Sequence, residues 1–431
     1  MFLFKESVFY LACQTLSFGL SIITDILLSR SIGPAGRGVF STVTTTVILT
    51  ASIAIFGMGY SPTYLLAKKK ASLSQVHTVV LVFILFMSFI AIVVYKAGSV
   101  LLTGKVGEVI TQYWGFIVFF VPLELYKQAW FAILIGINKV AIIGKTIVAT
   151  AFVGTVSMWI CLQQLNLGIK GAFSALAATY IITTSIMVYR IYRLSGLTIG
   201  FKRNILREAV AFSIMAHVGN IAVQVYQRLG IFILGHFFNM TTVGYYTLSL
   251  SLAEKELQPL NSIVTAANYR IIGDKNEDSF LLICKTLRVC TTILIAECII
   301  IFSLSKWVIP LLFGSVFLPA VTSLFIIAPG VALFGLSSIV ASYFSGQLGK
   351  PKICTAVALI TMLLSIPLYY IMIKLFGLIG ASFGTSLICA TTFLLLVSLF
   401  KYSTKAKLRD MFIISWAKDI KPLCVKLRPL S

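Results

Sequence analysis

Apolar residues fill this chain in long unbroken blocks, with neither the stripe of a surface helix nor the alternation of a half-buried strand. The blocks lie at 7–30, 39–67, 76–100, 110–136, 140–163, 171–194, 208–235, 242–270, 280–304, 320–346, 353–375 and 378–400. Crossing a bilayer takes about 20 apolar residues in a helix, whereas a barrel strand is an alternating segment of roughly 10. The pattern therefore predicts an all-α integral membrane protein of about 12 transmembrane helices. The stretch 306–318 is shorter and contains Pro310, and it reads as an interfacial segment between the ninth and tenth spans. The first block lacks a small-residue cleavage site and reads as a retained helix.

Composition points the same way. Hydrophobic residues make up 59% of the chain and charged residues 11%, with a mean hydropathy of +1.00. Soluble domains hold about 45–50% apolar and about 25% charged residues, so lipid is the solvent implied. The 8 cysteines show no paired or metal-ligand spacing and read as free thiols; neither a metal nor a cofactor is expected.

The charges orient the chain. With the N-terminus inside, 25 Lys and Arg residues fall on the cytoplasmic side, 7 on the opposite side, and Lys127, Arg228 and Lys255 within spans. That bias puts both termini in the cytoplasm. The net charge of +22 is thereby explained by a basic face on anionic lipid, and nucleic acid is not needed as a partner. The basic tail 401–431, with Met411, Phe412, Ile413, Ile414 and Trp416, is expected to lie on the membrane as an amphipathic helix.

Four landmarks recur in order. LLSRSIGPAGRGVFS at 27–41 matches ILGHFFNMTTVGYYT at 233–247, with Gly38 on Gly244 at an offset of 206. LLTG at 101–104 matches LLFG at 311–314 at an offset of 210. Gly136 and Lys139 correspond to Gly346 and Lys350. GIKGAFSA at 168–175 matches GLIGASFG at 377–384 at an offset of 209. An offset spanning six helices gives two halves of the same orientation. The expected domains are an N-terminal six-helix lobe (1–200), a C-terminal six-helix lobe (207–400) and the tail (401–431), with a basic linker at 195–207. Parallel repeats of this kind belong to transporters.

Charged residues within spans are costly and mark candidate sites. Gln14, Ser17, Ser21, Asp25 and Ser29 form one stripe on the first helix. Ser213, His217, Asn220, Gln224 and Arg228 form another on the seventh. Arg228, well within its helix, is the strongest functional candidate. His217 reads more readily as a hydrogen-bonded core histidine than as a proton carrier. Glu124 and Lys127, spaced i,i+3 beside Pro122, form either a packing pair or part of a site. Arg30 and Arg37 bracket the first turn, as interfacial anchors or as phosphate ligands. Asp25 and Glu254, with Glu124, are candidates for ion coupling, whereas Glu297 reads as structural. The acidic loop residues Asp274, Glu277 and Asp278 are interleaved with Lys275 and make no catalytic constellation. An enzyme is not expected.

The blocks SRSIGPAGRGVFSTVTT, AKKKAS, GYYTLSLSLAEKELQPL and PLLFGSVF, taken in order, resemble the polysaccharide-biosynthesis, O-antigen flippase family. That family lies within the multidrug/oligosaccharidyl-lipid/polysaccharide exporter superfamily. The resemblance covers nearly the whole chain. It implies two six-helix lobes in a V-shaped transporter of the bacterial inner membrane. The implied activity is translocation of an undecaprenyl-diphosphate-linked oligosaccharide, with no cofactor. It also points to membrane lipids, a polysaccharide polymerase and a chain-length regulator as candidate partners. Arg228, assisted by Arg30, Arg37 and Lys127, would bind the diphosphate, and His217, Asn220, Gln224 and Gln14 would line the cavity. Such proteins often carry an acidic residue shortly after the basic residue of the seventh helix; here that place is Gly230. A drug or cation antiporter of the same superfamily is the nearest alternative, and a membrane polysaccharide polymerase a distant one.

Overall fold

A computed structural model describes the chain except residues 1, 57, 100–103, 197–199, 201–202, 261–262, 265–277, 406–407 and 413–431. The described residues are helical, joined by short turns. In chain order they form α1 (Phe2–Ala54), α2 (Ser61–Ala67), α3 (Leu73–Ser99), α4 (Gly104–Gln112), α5 (Trp114–Gly136), α6 (Val140–Trp159) and α7 (Gly168–Ser195). Then come α8 (Arg203–Phe237), α9 (Met240–Lys255), α10 (Asp278–Phe313), α11 (Pro319–Ser342), α12 (Pro351–Thr404) and α13 (Leu408–Phe412). Single π turns follow α6 and α11.

Eight of the described helices are long and apolar enough to cross a membrane. Two of these are broken inside. Gly33 (φ 64°) interrupts α1 and Gly377 (φ 54°) interrupts α12, a left-handed backbone that glycine adopts without a Cβ penalty. Pro34 then opens the second arm of α1, where its missing N–H costs nothing. Helices α8 and α9 coincide with two further sequence blocks, and α9 spans only 16 residues. Side chains such as Leu85, Phe89, Leu363 and Trp307 are 64–76% exposed. A surface of this kind belongs against acyl chains.

Residues 306–313 do not form a separate interfacial segment. They continue α10, which runs unbroken through Pro310 to Phe313. Proline forfeits one backbone bond there, and the helix carries on beyond it. Three predictions lie wholly or partly outside the described residues: the linker 195–207, the acidic loop at 274–278, and Ile413, Ile414 and Trp416 of the tail. Of the tail, Met411 is fully buried and Phe412 packs edge-on against Phe393.

By packing, the chain divides into two compact units, Met1–Thr247 with Leu312–Val316, and Leu248–Leu311 with Phe317–Ser431. In the first, α1 packs along α6. Phe40, Tyr113, Phe116, Phe120, Phe173 and Tyr180 form a continuous aromatic core there. In the second, α11 packs along α12. Gly330 admits the backbone of Ser386, and Ser323 bonds Ser382 at 2.7 Å, the small-residue contact that serves helices without a hydrophobic drive between them. Buried hydroxyls elsewhere mostly donate to the carbonyl one turn back, as Thr46 does to Thr42 at 2.8 Å.

The repeat landmarks carry the same backbone geometry. Gly104 and Gly314 both have positive φ (78° and 102°), as do Gly168 and Gly377 (57° and 54°). Lys139 and Lys350 begin their helices at φ/ψ of −107°/53° and −113°/60°. The residue before each, Asn138 or Gly349, is left-handed at 55° or 59°. Gly171 lies against the Cys161 carbonyl and Gly380 against that of Met372, each on the preceding helix segment. Within the first unit, Gly38 lies against the carbonyl of Met240 and Gly244 against that of Pro34.

Candidate functional site

The break at Gly33 builds the first polar cluster. The first arm of α1 ends there, leaving terminal carbonyls that attract a cation. Arg37, in the opening turns of the second arm, folds back over the break. Its guanidinium donates to Ser29 Oγ at 2.5 Å and to the Asp25 carboxylate at 3.3 Å, and reaches the Asp25 carbonyl at 3.5 Å. Arg37 is only 3% exposed. It is thus a buried strap joining the two arms, held by a counter-charge as a buried guanidinium must be. Arg30, on the same corner, is exposed and donates Nε to the carbonyl of Leu312 at 2.8 Å.

The second cluster forms where α5 meets α7. Lys127 Nζ stands 2.5 Å from Glu124 Oε2, the i,i+3 pair expected from spacing. Tyr180 of α7 donates to the same oxygen at 2.5 Å, and Gln128 donates to Oε1 at 3.3 Å. Lys127 also lies over the Tyr180 ring, 5.3 Å from its centre. Glu124 is 4% exposed and fully partnered. The local geometry is that of a cross-link between two helices. Tyr180, which ties the pair to α7, has no sequence signal beyond its aromatic periodicity.

The third group is the stripe on α8. His217 is buried, with Nε2 3.1 Å from the Ile53 carbonyl at the end of α1 and its ring 5.4 Å from that of Phe56. Asn220 and Gln224, one and two turns on, are half-buried and make no side-chain hydrogen bond to the described residues. Arg228, half-buried, completes the row; the side chain of Ser213 lies outside the described set.

Of the remaining candidates, Gln14 bonds Tyr10 within its own helix at 2.7 Å. Glu254 belongs to the second unit, half-buried on α9. The structure therefore joins Asp25 to Arg37 and Glu124 to Lys127, and keeps Asn220, Gln224 and Arg228 in register on one helix. Among the described residues no three His, Cys, Asp or Glu side chains converge as metal ligands would, and the seven described cysteines are free thiols.

This architecture is similar to that of several solved membrane transporters. An inward-facing multidrug-resistance MATE transporter of the MOP superfamily aligns with a TM-score of 0.72 at 17% identity, over 93% of this chain and 99% of its own. A MOP-superfamily transporter from Pyrococcus furiosus aligns with 0.65 at 15% identity (93% and 95%), and an outward-facing MATE transporter with 0.64 at 16% (93% and 95%). At such identities the likeness establishes the fold alone: an all-α arrangement of apolar helices like that of MATE transporters. No curated protein sequence matches. The family is fixed by residues 27–322, which match the model for polysaccharide biosynthesis proteins; the chain belongs to that family.

Proposed function

We propose that the protein is a flippase that moves an undecaprenyl-diphosphate-linked oligosaccharide across the bacterial inner membrane by alternating access. The observation that carries this reading is the α8 row: Arg228 in the interior of the 35-residue helix α8, in line with Asn220 and Gln224. A guanidinium offers forked, charge-assisted bonds to a diphosphate, and the two amides can bond sugar hydroxyls. Membership of a polysaccharide biosynthesis family supports a glycan cargo. Arg30 assists from the rim of α1. Arg37 and Lys127 can assist only by exchanging their carboxylates, Asp25 and Glu124, for phosphate. Asp25, Glu124 and Glu254 are the candidate carboxylates for coupling transport to an ion. His217 and Gln14 would line the path.

In this reading the chain carries twelve spans in two parallel lobes, 1–200 and 207–400, followed by a basic cytoplasmic tail with both termini inside. The polymerase and chain-length regulator would receive the flipped glycan.

The test is export of surface polysaccharide in a strain lacking the native gene. Arg228→Ala should abolish export at normal membrane abundance, and Arg228→Lys, which keeps the charge but loses the fork, should retain part of it. Normal export by Arg228→Ala would overturn the assignment. The multidrug MATE neighbours motivate a second reading, a cation antiporter. Counterflow of a fluorescent cation in proteoliposomes, blocked by excess unlabelled cation, would identify that activity.

A further inference from the structure

The outer face of α7 lies apart from the polar clusters described above. Ile181, Thr184, Ser185, Val188, Tyr189 and Tyr192 recur at helical spacing along one side of it. With Phe119 and Leu123 of α5 they line an open groove of about 580 Å³, within the about 300–1,000 Å³ of a single-ligand pocket. The other side of α7 is fixed in the core of the first unit. Thr183, Met187 and Ile191 are buried there, and Trp130 donates Nε1 to the Met187 carbonyl at 3.3 Å. The groove therefore opens outward, beside side chains as exposed as Phe119 and Ile181.

Its chemistry changes along the helix. Phe119, Leu123 and Ile181 make the first part apolar. Thr184 and Ser185 follow, and their hydroxyls make no hydrogen bond to the described residues. Thr179, Thr183 and Ser195 of the same helix instead donate to carbonyls one turn back, at 2.7–2.9 Å. Tyr189 and Tyr192 come next. The Arg193 guanidinium stands 5.9 Å from the centre of the Tyr189 ring, drawn back along the helix as long helical side chains are. Arg190 and Arg193 are exposed, and neither forms an ion pair with the described residues. α7 contains no acidic residue to offset them.

A glycerophospholipid presents the same order of groups: acyl chain, ester carbonyls, phosphate. The apolar stretch suits the chain, the hydroxyls of Thr184 and Ser185 can donate to the esters, and the guanidiniums take the phosphate through charge-assisted bonds. Two cations without a counter-charge at one end favour a headgroup of net negative charge and repel one that carries an ammonium. We propose that this groove holds one anionic phospholipid, its acyl chain against Phe119, Leu123 and Ile181 and its phosphate at Arg190 and Arg193. The site requires α5 and α7 to lie in a bilayer; it does not rest on the cargo assignment. In the topology proposed above the arginine end is cytoplasmic, where the leaflet supplies anionic headgroups.

The experiment uses the full-length protein purified in detergent, with bound lipid counted by native mass spectrometry after addition of phosphatidylglycerol or phosphatidylcholine. One phosphatidylglycerol should bind saturably, and phosphatidylcholine at least about tenfold more weakly. The double variant Arg190→Gln/Arg193→Gln should weaken phosphatidylglycerol by at least about tenfold. Ser185→Trp, which fills the groove, should abolish binding of either lipid. Lys374→Gln is the control. Lys374 also stands over a tyrosine ring, 5.8 Å from the centre of Tyr370, as an ordinary interfacial anchor does, and its loss should change nothing. Thermal melting without added lipid identifies variants that have folded; should Ser185→Trp fail, Ser185→Leu takes its place and should weaken binding. Equal binding of the two lipids, stepwise binding without saturation at one, or folded groove and arginine variants that bind as the wild type does would each overturn the inference. Displacement of phosphatidylglycerol by equimolar undecaprenyl phosphate would overturn it too, by giving the groove to an isoprenoid chain. Loss of the flippase reading in the export assay leaves all of these outcomes unchanged.

Discussion

Gly38 and Gly244 occupy the same contact twice: each makes room for a carbonyl from the other's segment, Met240 against Gly38 and Pro34 against Gly244. The offset of 206 that maps Gly38 onto Gly244 also maps Pro34 onto Met240. The contact is therefore exchanged with itself, as a two-fold relation between the segments requires. Arg30 and His236 are related by the same offset. Arg30 reaches the carbonyl of Leu312, and His236 abuts Gly104, so each meets a residue of the Leu-Leu-x-Gly motif of the opposite repeat.

From this follows a stability prediction. Gly38→Ala or Gly244→Ala forces a methyl group onto backbone, which cannot yield as a flexible side chain would. Each should cost about 1–3 kcal/mol, read as a lowered melting temperature in detergent. The double variant should cost less than the sum, because both methyls spread one contact. Gly115→Ala, with open space around the site, should be neutral or slightly stabilising.

The strap over Gly33 predicts a coupling. Asp25→Asn and Arg37→Gln should each destabilise, and a double-mutant cycle should give an interaction of about 0.5–3 kcal/mol. Arg37→Lys should not restore the wild-type value. A single ammonium cannot reach Ser29 and the Asp25 carboxylate in the arrangement the fork adopts.

The cross-link between α5 and α7 predicts an asymmetry. Lys127→Met leaves Glu124 buried with only neutral donors, and should cost about 3–5 kcal/mol. Adding Glu124→Gln should recover much of that loss. Thermal unfolding of the three proteins decides it; equal damage in the single and double variants would show that the lysine stem, not the charge, matters.

The charge bias predicts topology. Reporter fusions after residues 200 and 405 should both report cytoplasm, since 25 basic residues against 7 favour that side. A periplasmic signal at either point would refute the arrangement of spans.

Much of this was legible in the sequence because lipid imposes long apolar blocks and leaves charges conspicuous. The pair Glu124–Lys127 followed from helix spacing alone. Asp25–Arg37 did not: twelve residues apart, they meet only because Gly33 breaks the helix and turns the second arm back. Tyr180 approaches Glu124 from another helix, and no local rule reveals a tertiary partner. The continuation of α10 past Pro310 was hidden because proline reads as a stop, while a helix held by its neighbours can absorb one missing bond.

The left-handed joints carry an implication for ancestry. Gly104 and Gly314, Gly168 and Gly377, and Asn138 and Gly349 mark corresponding corners in stretches whose helices share little else. A corner that only glycine or asparagine turns comfortably changes slowly, whereas a lipid-facing helix can exchange one apolar residue for another freely. Such a chain is what the duplication and fusion of one ancestral gene would leave behind. Distant kin could accordingly be aligned by their corners where the residues between have drifted beyond recognition.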